Sequence, residues 1–168
     1  EMYGHSGDDL MAGRGGNDEI GGGSGNDVLR GNAGNDVLQG EGGDDTILGG
    51  LGDDTILAGN GQDVLRGQQG ADVFVFEAGS ELGAGAARDY IQDFQRGIDL
   101  IDVSEINTSE AFTFNGMAGF TATGPSIYFN VSGGANAIVR FDIDGNGTED
   151  ARLQLNGVTV VDATDFVL

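Results

Sequence analysis

The chain has 168 residues, no cysteine and a single histidine, and its 28 acidic residues face seven basic ones, all arginine, for a formal charge of −21. That balance excludes a disulfide-stapled fold, a thiolate or histidine-rich metal site such as a zinc-protease helix, and a nucleic-acid surface, which needs a basic stripe. Thirty-three glycines add ordering entropy to the self-repulsion of so acidic a chain, so a counter-charge is needed for the first half to fold.

From Gly4 to Val75 the sequence is one nonapeptide written eight times without insertion: GHSGDDLMA, GRGGNDEIG, GGSGNDVLR, GNAGNDVLQ, GEGGDDTIL, GGLGDDTIL, AGNGQDVLR and GQQGADVFV. The fourth place is always glycine and the sixth always aspartate: Asp9, Asp18, Asp27, Asp36, Asp45, Asp54, Asp63 and Asp72. The eighth is always large and apolar: Met11, Ile20, Leu29, Leu38, Ile47, Ile56, Leu65 and Phe74. A fixed period of this kind marks a stacked repeat architecture. Each unit reads as a six-residue glycine-rich turn ending in aspartate, followed by a three-residue strand, with two units to a circuit. Eighth-place side chains then point inward from two parallel sheets, forming a core too thin to hold the coil by packing alone.

Two units per circuit place turn n beneath turn n+2. The aspartates fall into two columns, Asp9, Asp27, Asp45, Asp63 and Asp18, Asp36, Asp54, Asp72, with about 4.8 Å between neighbouring turns. Carboxylates that close repel unless a hard cation lies between them. Calcium meets the demand, because it takes six to eight oxygens, accepts backbone carbonyls and tolerates irregular geometry.

These residues resemble the calcium-binding nonapeptide repeat of RTX proteins. The resemblance implies an all-β chain, a right-handed parallel β-roll over residues 4–76 capped by an antiparallel β-sheet over 77–168. It implies calcium held by the sixth-place aspartates of neighbouring turns and by carbonyls of Gly22, Ser24, Gly31, Ala33, Glu41, Gly43, Gly50, Gly52, Gly59, Gly61, Gln68 and Gly70. About six ions follow from pairing turns n and n+2. Ala58 and Ala71 depart from the consensus, so the last turn is expected to deviate most.

After Phe74 the period stops. The pieces ADVFVF (71–76), DYIQDF (89–94) and GIDLIDVSEI (97–106) resemble the segment following the repeats in serralysin-type and other type I secreted proteins. Glu81 and Asp89 are candidates to close the calcium column. From Ala111 onward AFTFN, SIYFNV, AIVRFDI, ARLQL and VTVV alternate like half-buried strands, a sheet able to cap the roll with Phe112, Phe114, Tyr128, Phe129 and Phe141. Between two of them DIDGNGTED carries Asp142, Asp144, Asn146 and Asp150 at EF-hand-like spacing, but Leu153 stands where the bidentate glutamate belongs. A hairpin turn on Asn146-Gly147 accounts for the same residues.

The ending Asp165, Phe166, Val167, Leu168 is similar to the uncleaved tail that type I exporters read, and no amino-terminal secretion peptide is visible. No run of eighteen apolar residues is present, so no helix is expected to cross a membrane. The lone His5 leaves Ser80, Ser104 and Ser126 without a base, and no catalytic constellation is found. The chain reads as a monomeric, secreted, extracellular, non-enzymatic part of a longer protein, with any catalytic domain upstream of Glu1. Its expected partners are calcium and the type I secretion machinery. The repeats also resemble the R-modules of mannuronan C5-epimerases, which hold alginate, and adhesin segments. In that alternative Arg30 and Arg66, with Gln39, Gln68 and Gln69, meet an acidic polysaccharide on an outer sheet.

Overall fold

The computed structural model describes residues 1–84, 87–106, 110–120 and 124–168. Gly85, Ala86 and Asn107 of the post-repeat resemblance lie outside them. Among the described residues there is no α-helix. The repeat half forms β1 (Met2–Tyr3), β2 (Leu10–Gly15), β3 (Glu19–Ser24), β4 (Val28–Ala33), β5 (Val37–Gly42), β6 (Thr46–Leu51), β7 (Thr55–Leu57), β8 (Val64–Gln69) and β9 (Val73–Val75). Consecutive strands alternate between two parallel sheets, and Leu10 pairs with Val28, Val28 with Thr46 and Thr46 with Val64. That is the two-unit circuit the period predicts.

The strands are longer than the expected three residues. Most run six residues, from the seventh place of one unit through the third place of the next, which leaves only places four to six as the turn. Pairing skips place one (Ala12 with Arg30, then Arg14 with Asn32), and place two follows at positive φ even where it is not glycine: His5 71°, Arg14 81°, Asn32 77°, Glu41 71°, Gln68 72°. The strand is kinked rather than ended there, so the backbone keeps its ladder while it bends toward the turn. Inside, two facing rows are fully buried, Ile20, Leu38, Ile56 and Phe74 from one sheet and Leu29, Ile47 and Leu65 from the other.

The coil outlives its period. The second half forms β10 (Gly83–Ala84), β11 (Ala87–Ile91), β12 (Leu100–Asp102), β13 (Thr113–Phe114), β14 (Ser126–Ser132), β15 (Asn136–Asp142), β16 (Ala151–Leu155), a 3₁₀ turn (Ala163–Asp165) and β17 (Phe166–Val167). β11 pairs parallel to β8, with Ile91 opposite Leu65, and β12 pairs parallel to β9, with Ile101 opposite Phe74. One more circuit is therefore laid down by non-repeat sequence.

The antiparallel strands β14, β15 and β16 then continue the same sheet as β8 and β11, and β17 continues the other, beside β12. The cap grows out of the roll's own sheets. Phe112, Phe129 and Phe141 join the core, Phe114 packs partly buried on Phe166, and Tyr128 faces outward beside Arg140. VTVV is not a strand. It carries the chain from one sheet to the other with Val158 and Val161 buried and Thr159 and Val160 exposed, so its backbone has no ladder to join.

Candidate metal centre

The sixth-place aspartates stack as two columns. In each, one carboxylate oxygen accepts the backbone N–H of the aspartate one circuit earlier. Asp27 Oδ1 accepts from Asp9 at 2.8 Å, Asp45 from Asp27 at 2.7 Å and Asp63 from Asp45 at 2.8 Å. The second column runs Asp36 from Asp18 at 2.7 Å, Asp54 from Asp36 at 2.8 Å and Asp72 from Asp54 at 3.0 Å. Asp27, Asp36, Asp45, Asp54, Asp63 and Asp72 are buried, whereas Asp9 and Asp18 at the open end are half-buried.

The columns do not stop at the last repeat. Asp89 Oδ1 accepts the Asp63 N–H at 2.8 Å, and Asp99 Oδ1 accepts the Asp72 N–H at 3.2 Å. Asp89, a candidate for closing the column, stands at the end of the first one. Glu81 lies near it, half-buried, and accepts the Glu77 N–H at 2.7 Å. Asp99 was missed. Its signal was the triplet Asp99-Leu100-Ile101, which like Asp89-Tyr90-Ile91 repeats the aspartate-x-aliphatic end of every nonapeptide at a different spacing.

The other carboxylate oxygen decides what the columns can do. Oδ2 of Asp9, Asp18, Asp27, Asp36, Asp45, Asp54, Asp63, Asp72 and Asp89 is buried and has no hydrogen-bond partner among the described residues. An unpartnered buried carboxylate oxygen is costly, and it is the atom a hard cation takes. Asp99 differs, because its Oδ2 accepts the Gln95 N–H at 2.7 Å.

These orphan oxygens crowd the place-one residue of their own repeat. A methyl on Gly4 would lie 2.4 Å from Asp9 Oδ2 and 2.5 Å from the Gly22 carbonyl oxygen, and one on Gly49 would lie 2.2 Å from Asp54 Oδ2. The cradle is lined by a carboxylate and a carbonyl oxygen, the hard donor set that suits calcium.

The proposed carbonyl donors lie at places one to four, along the kinked strand ends and the first residue of the turns. Those of Ser24 and Ala33 also accept the N–H groups of Gly7 and Gly16, at 2.7 and 2.8 Å. Glu41 O accepts the Asn60 N–H at 2.8 Å, and Gln68 O accepts the Gln95 side chain at 2.9 Å. The carbonyls of Gly43 and Gly52 face Gly61 and Gly70 so closely that a methyl there would approach within 2.0 and 1.9 Å. Gly59 abuts the Glu41 carbonyl, Gly50 abuts that of Asn32, and Gly31 lies against Asp36 Oδ2.

A second ladder uses place five, where Asp53 Oδ1 accepts the Ala71 N–H at 2.8 Å. Ala71 needs only its backbone to join this ladder, so the departure at place five of the last repeat leaves that bond intact.

Burial is the first cause of the raised carboxyl pKa values along the columns, and neighbouring aspartates add to it against the lowering effect of the backbone N–H bonds. Asp54 and Asp72 are pushed up to about 6, Asp45 and Asp63 to about 7, and Asp89 to about 8. Asp99 is raised by burial as well.

The remaining candidates lie elsewhere. Arg30 and Arg66 stand in one column of the ten-stranded sheet (Ala12, Arg30, Leu48, Arg66), and Arg66 Nε donates to Gln92 at 2.7 Å. Gln68 and Gln69 are on β8 of that sheet, but Gln39 is on β5 of the other and cannot join them. Asp165 and Phe166 are buried and Phe166 pairs with Ile101, so the predicted tail signal forms the last strand, with Val167 and Leu168 at its exposed rim. Asp142, Asp144 and Asp150 converge in the β15–β16 loop.

A stacked parallel roll with two columns of half-satisfied carboxylates defines a repeat protein whose turns offer cation ligands. Residues 1–20, 21–56 and 48–80 match the model of the RTX calcium-binding nonapeptide repeat, so the first 80 residues carry repeats of that kind. The solution structure of the AlgE6R3 subunit of the Azotobacter vinelandii mannuronan C5-epimerase is similar to this chain at 25% identity and TM-score 0.45, covering 98% of this chain and 80% of that one. The AlgE6R2 subunit of the same enzyme gives 23% identity and TM-score 0.46, covering 94% and 90%. No curated protein sequence matches the chain.

Proposed function

We propose that this chain is a non-catalytic calcium-binding domain that folds on meeting extracellular calcium and so supports the type I secretion and stability of a larger secreted protein. The observation that carries the reading is the series of nine buried aspartate oxygens without partners, from Asp9 to Asp89. Calcium bound between turns neutralises each column, with the sixth-place aspartates and the turn carbonyls as ligands and about six ions in the roll. Inside the cell, where calcium is scarce, repulsion keeps the repeats open for threading. Outside, sites of roughly 10⁻⁴ to 10⁻³ M affinity fill and fold them. Phe166 is buried against β12 once folded, so an exporter reads the tail from Asp165 to Leu168 before folding. Circular dichroism tests this: chelated chain should be mostly coil and calcium should produce cooperative β signal. A chelated chain already fully β refutes it.

A second reading, an acidic-polysaccharide module such as an alginate-binding R-module, is favoured by one observation. Six of the seven arginines (14, 30, 66, 88, 140 and 152) stand on strands of the ten-stranded sheet. Calorimetry with oligouronates in calcium should show saturable binding lost in Arg30→Ala and Arg66→Ala. Binding unchanged by both substitutions removes this reading.

A further inference from the structure

We propose that the loop joining β15 to β16 is a calcium site of its own, separate from the roll and weaker than it. Asp142 is fully buried at the end of β15, and its Oδ2 accepts the Gly147 N–H at 2.9 Å while its Oδ1 has no partner. One ligand oxygen each from Asp142, Asp144 and Asp150 lies within 4.8 Å of the other two. Asp150 is anchored toward the cluster, its Oδ2 accepting the N–H groups of Ile143 at 2.7 Å and Asp144 at 3.2 Å. Two exposed carboxylates thus lie beside a fully buried one whose Oδ1 finds no partner among the described residues.

The chain's own cations do not supply the missing charge. The two arginines nearest in sequence, Arg140 and Arg152, both pair with Glu149, which draws them to the strand face. Ser126, directly opposite Asp142 in the β14–β15 ladder, is buried and has an unpartnered hydroxyl as well. A second buried polar atom in want of a partner therefore stands on the strand beside Asp142.

The ligand set also sets the strength. Asp142, Asp144 and Asp150 occupy places one, three and nine of a calcium loop with Gly147 at place six, but place twelve is Leu153, fully buried in the core. Without a bidentate carboxylate the coordination is completed by loop carbonyls and water, which places the affinity at the weak extracellular end, roughly 10⁻³ M.

The test uses the full isotope-labelled chain titrated with calcium alone. After the roll resonances saturate, the amides of Gly145 and Gly147 should move in a separate, weaker step that is complete near 10 mM, about ten times that dissociation constant. Asp144→Asn, an exposed change, should abolish that step and leave the roll resonances as they were. In Asp54→Asn, which alters the roll, the Gly147 step should persist, so failure of the loop and failure of the roll are separable. Amides that stay unmoved at 10 mM calcium, an unchanged second step in Asp144→Asn, or equal movement with magnesium overturns the proposal.

Discussion

Asp54→Asn should change the sign of its effect with calcium. Asp54 is 1% exposed, its Oδ1 holds the Asp36 N–H at 2.8 Å, and its own N–H donates to Asp72 at 3.0 Å. Asparagine keeps the Oδ1 acceptor and removes the charge. Without metal, burial raises the Asp54 pKa to about 6 from 3.8, so holding it ionised at pH 8 costs the folded roll on the order of 3 kcal/mol. The substitution removes that cost and should increase the β signal in chelator. With calcium at a hundred times the dissociation constant, each site stabilises the fold by about 2.7 kcal/mol. Asp54 serves the pairs with Asp36 and Asp72, so the variant forgoes about 5 kcal/mol of binding against its gain of about 3 and should be less stable by about 2 kcal/mol. Urea unfolding followed by circular dichroism, in calcium and in chelator at pH 8, reads both arms. Asp53→Asn, at exposed place five, keeps its bond to the Ala71 N–H and should stay within about 0.5 kcal/mol in either medium. A change of the same sign in both media refutes the carboxylate-column account.

The metal-free chain should gain β structure on acidification. Asp45, Asp54, Asp63, Asp72 and Asp89 have carboxyl pKa values pushed up to about 6 to 8 in the folded state against about 3.9 unfolded, so the folded state binds more protons. The stabilisation is full below about pH 4 and is lost as pH rises through 6 to 8. A β signal in chelator that is flat or falling between pH 8 and 4.5 contradicts this. Gly49→Ala drives a methyl to 2.2 Å from Asp54 Oδ2 and 2.9 Å from the Gly67 carbonyl, and thermal melts in calcium should show a loss of about 1–3 kcal/mol. Ala58→Gly, at the equivalent place, should change stability by no more than about 1 kcal/mol. Glu41→Val puts a β-branched side chain at φ 71° and should cost about 1–2 kcal/mol, whereas Glu41→Gly should not.

Much of the site was legible because it repeats. With nonapeptides of one fixed length, stacking in register brings every fourth-place glycine over another and sets the eighth-place side chains in two facing rows. The two columns and the core from Ile20 to Phe74 therefore follow from spacing alone. Place two was not legible: Arg14, Glu41 and Gln68 give no sign of a left-handed backbone, which is imposed by the bend of the stacked strand. Nor was the join, where the columns pass to Asp89 and Asp99, 26 and 27 residues beyond their partners instead of 18.

The sequence by itself determined the repeat, its two units per circuit and its two columns of aspartates, because these are local and translational properties. Only the tertiary structure decided how the roll ends, with β11 and β12 adding an unrepeated circuit, β17 bringing Phe166 under the core, and Asp142 buried beneath its loop. Each of those depends on pairing between segments far apart in the chain. A parallel strand edge accepts any segment that presents the right backbone and one apolar side chain, whatever its distance in sequence.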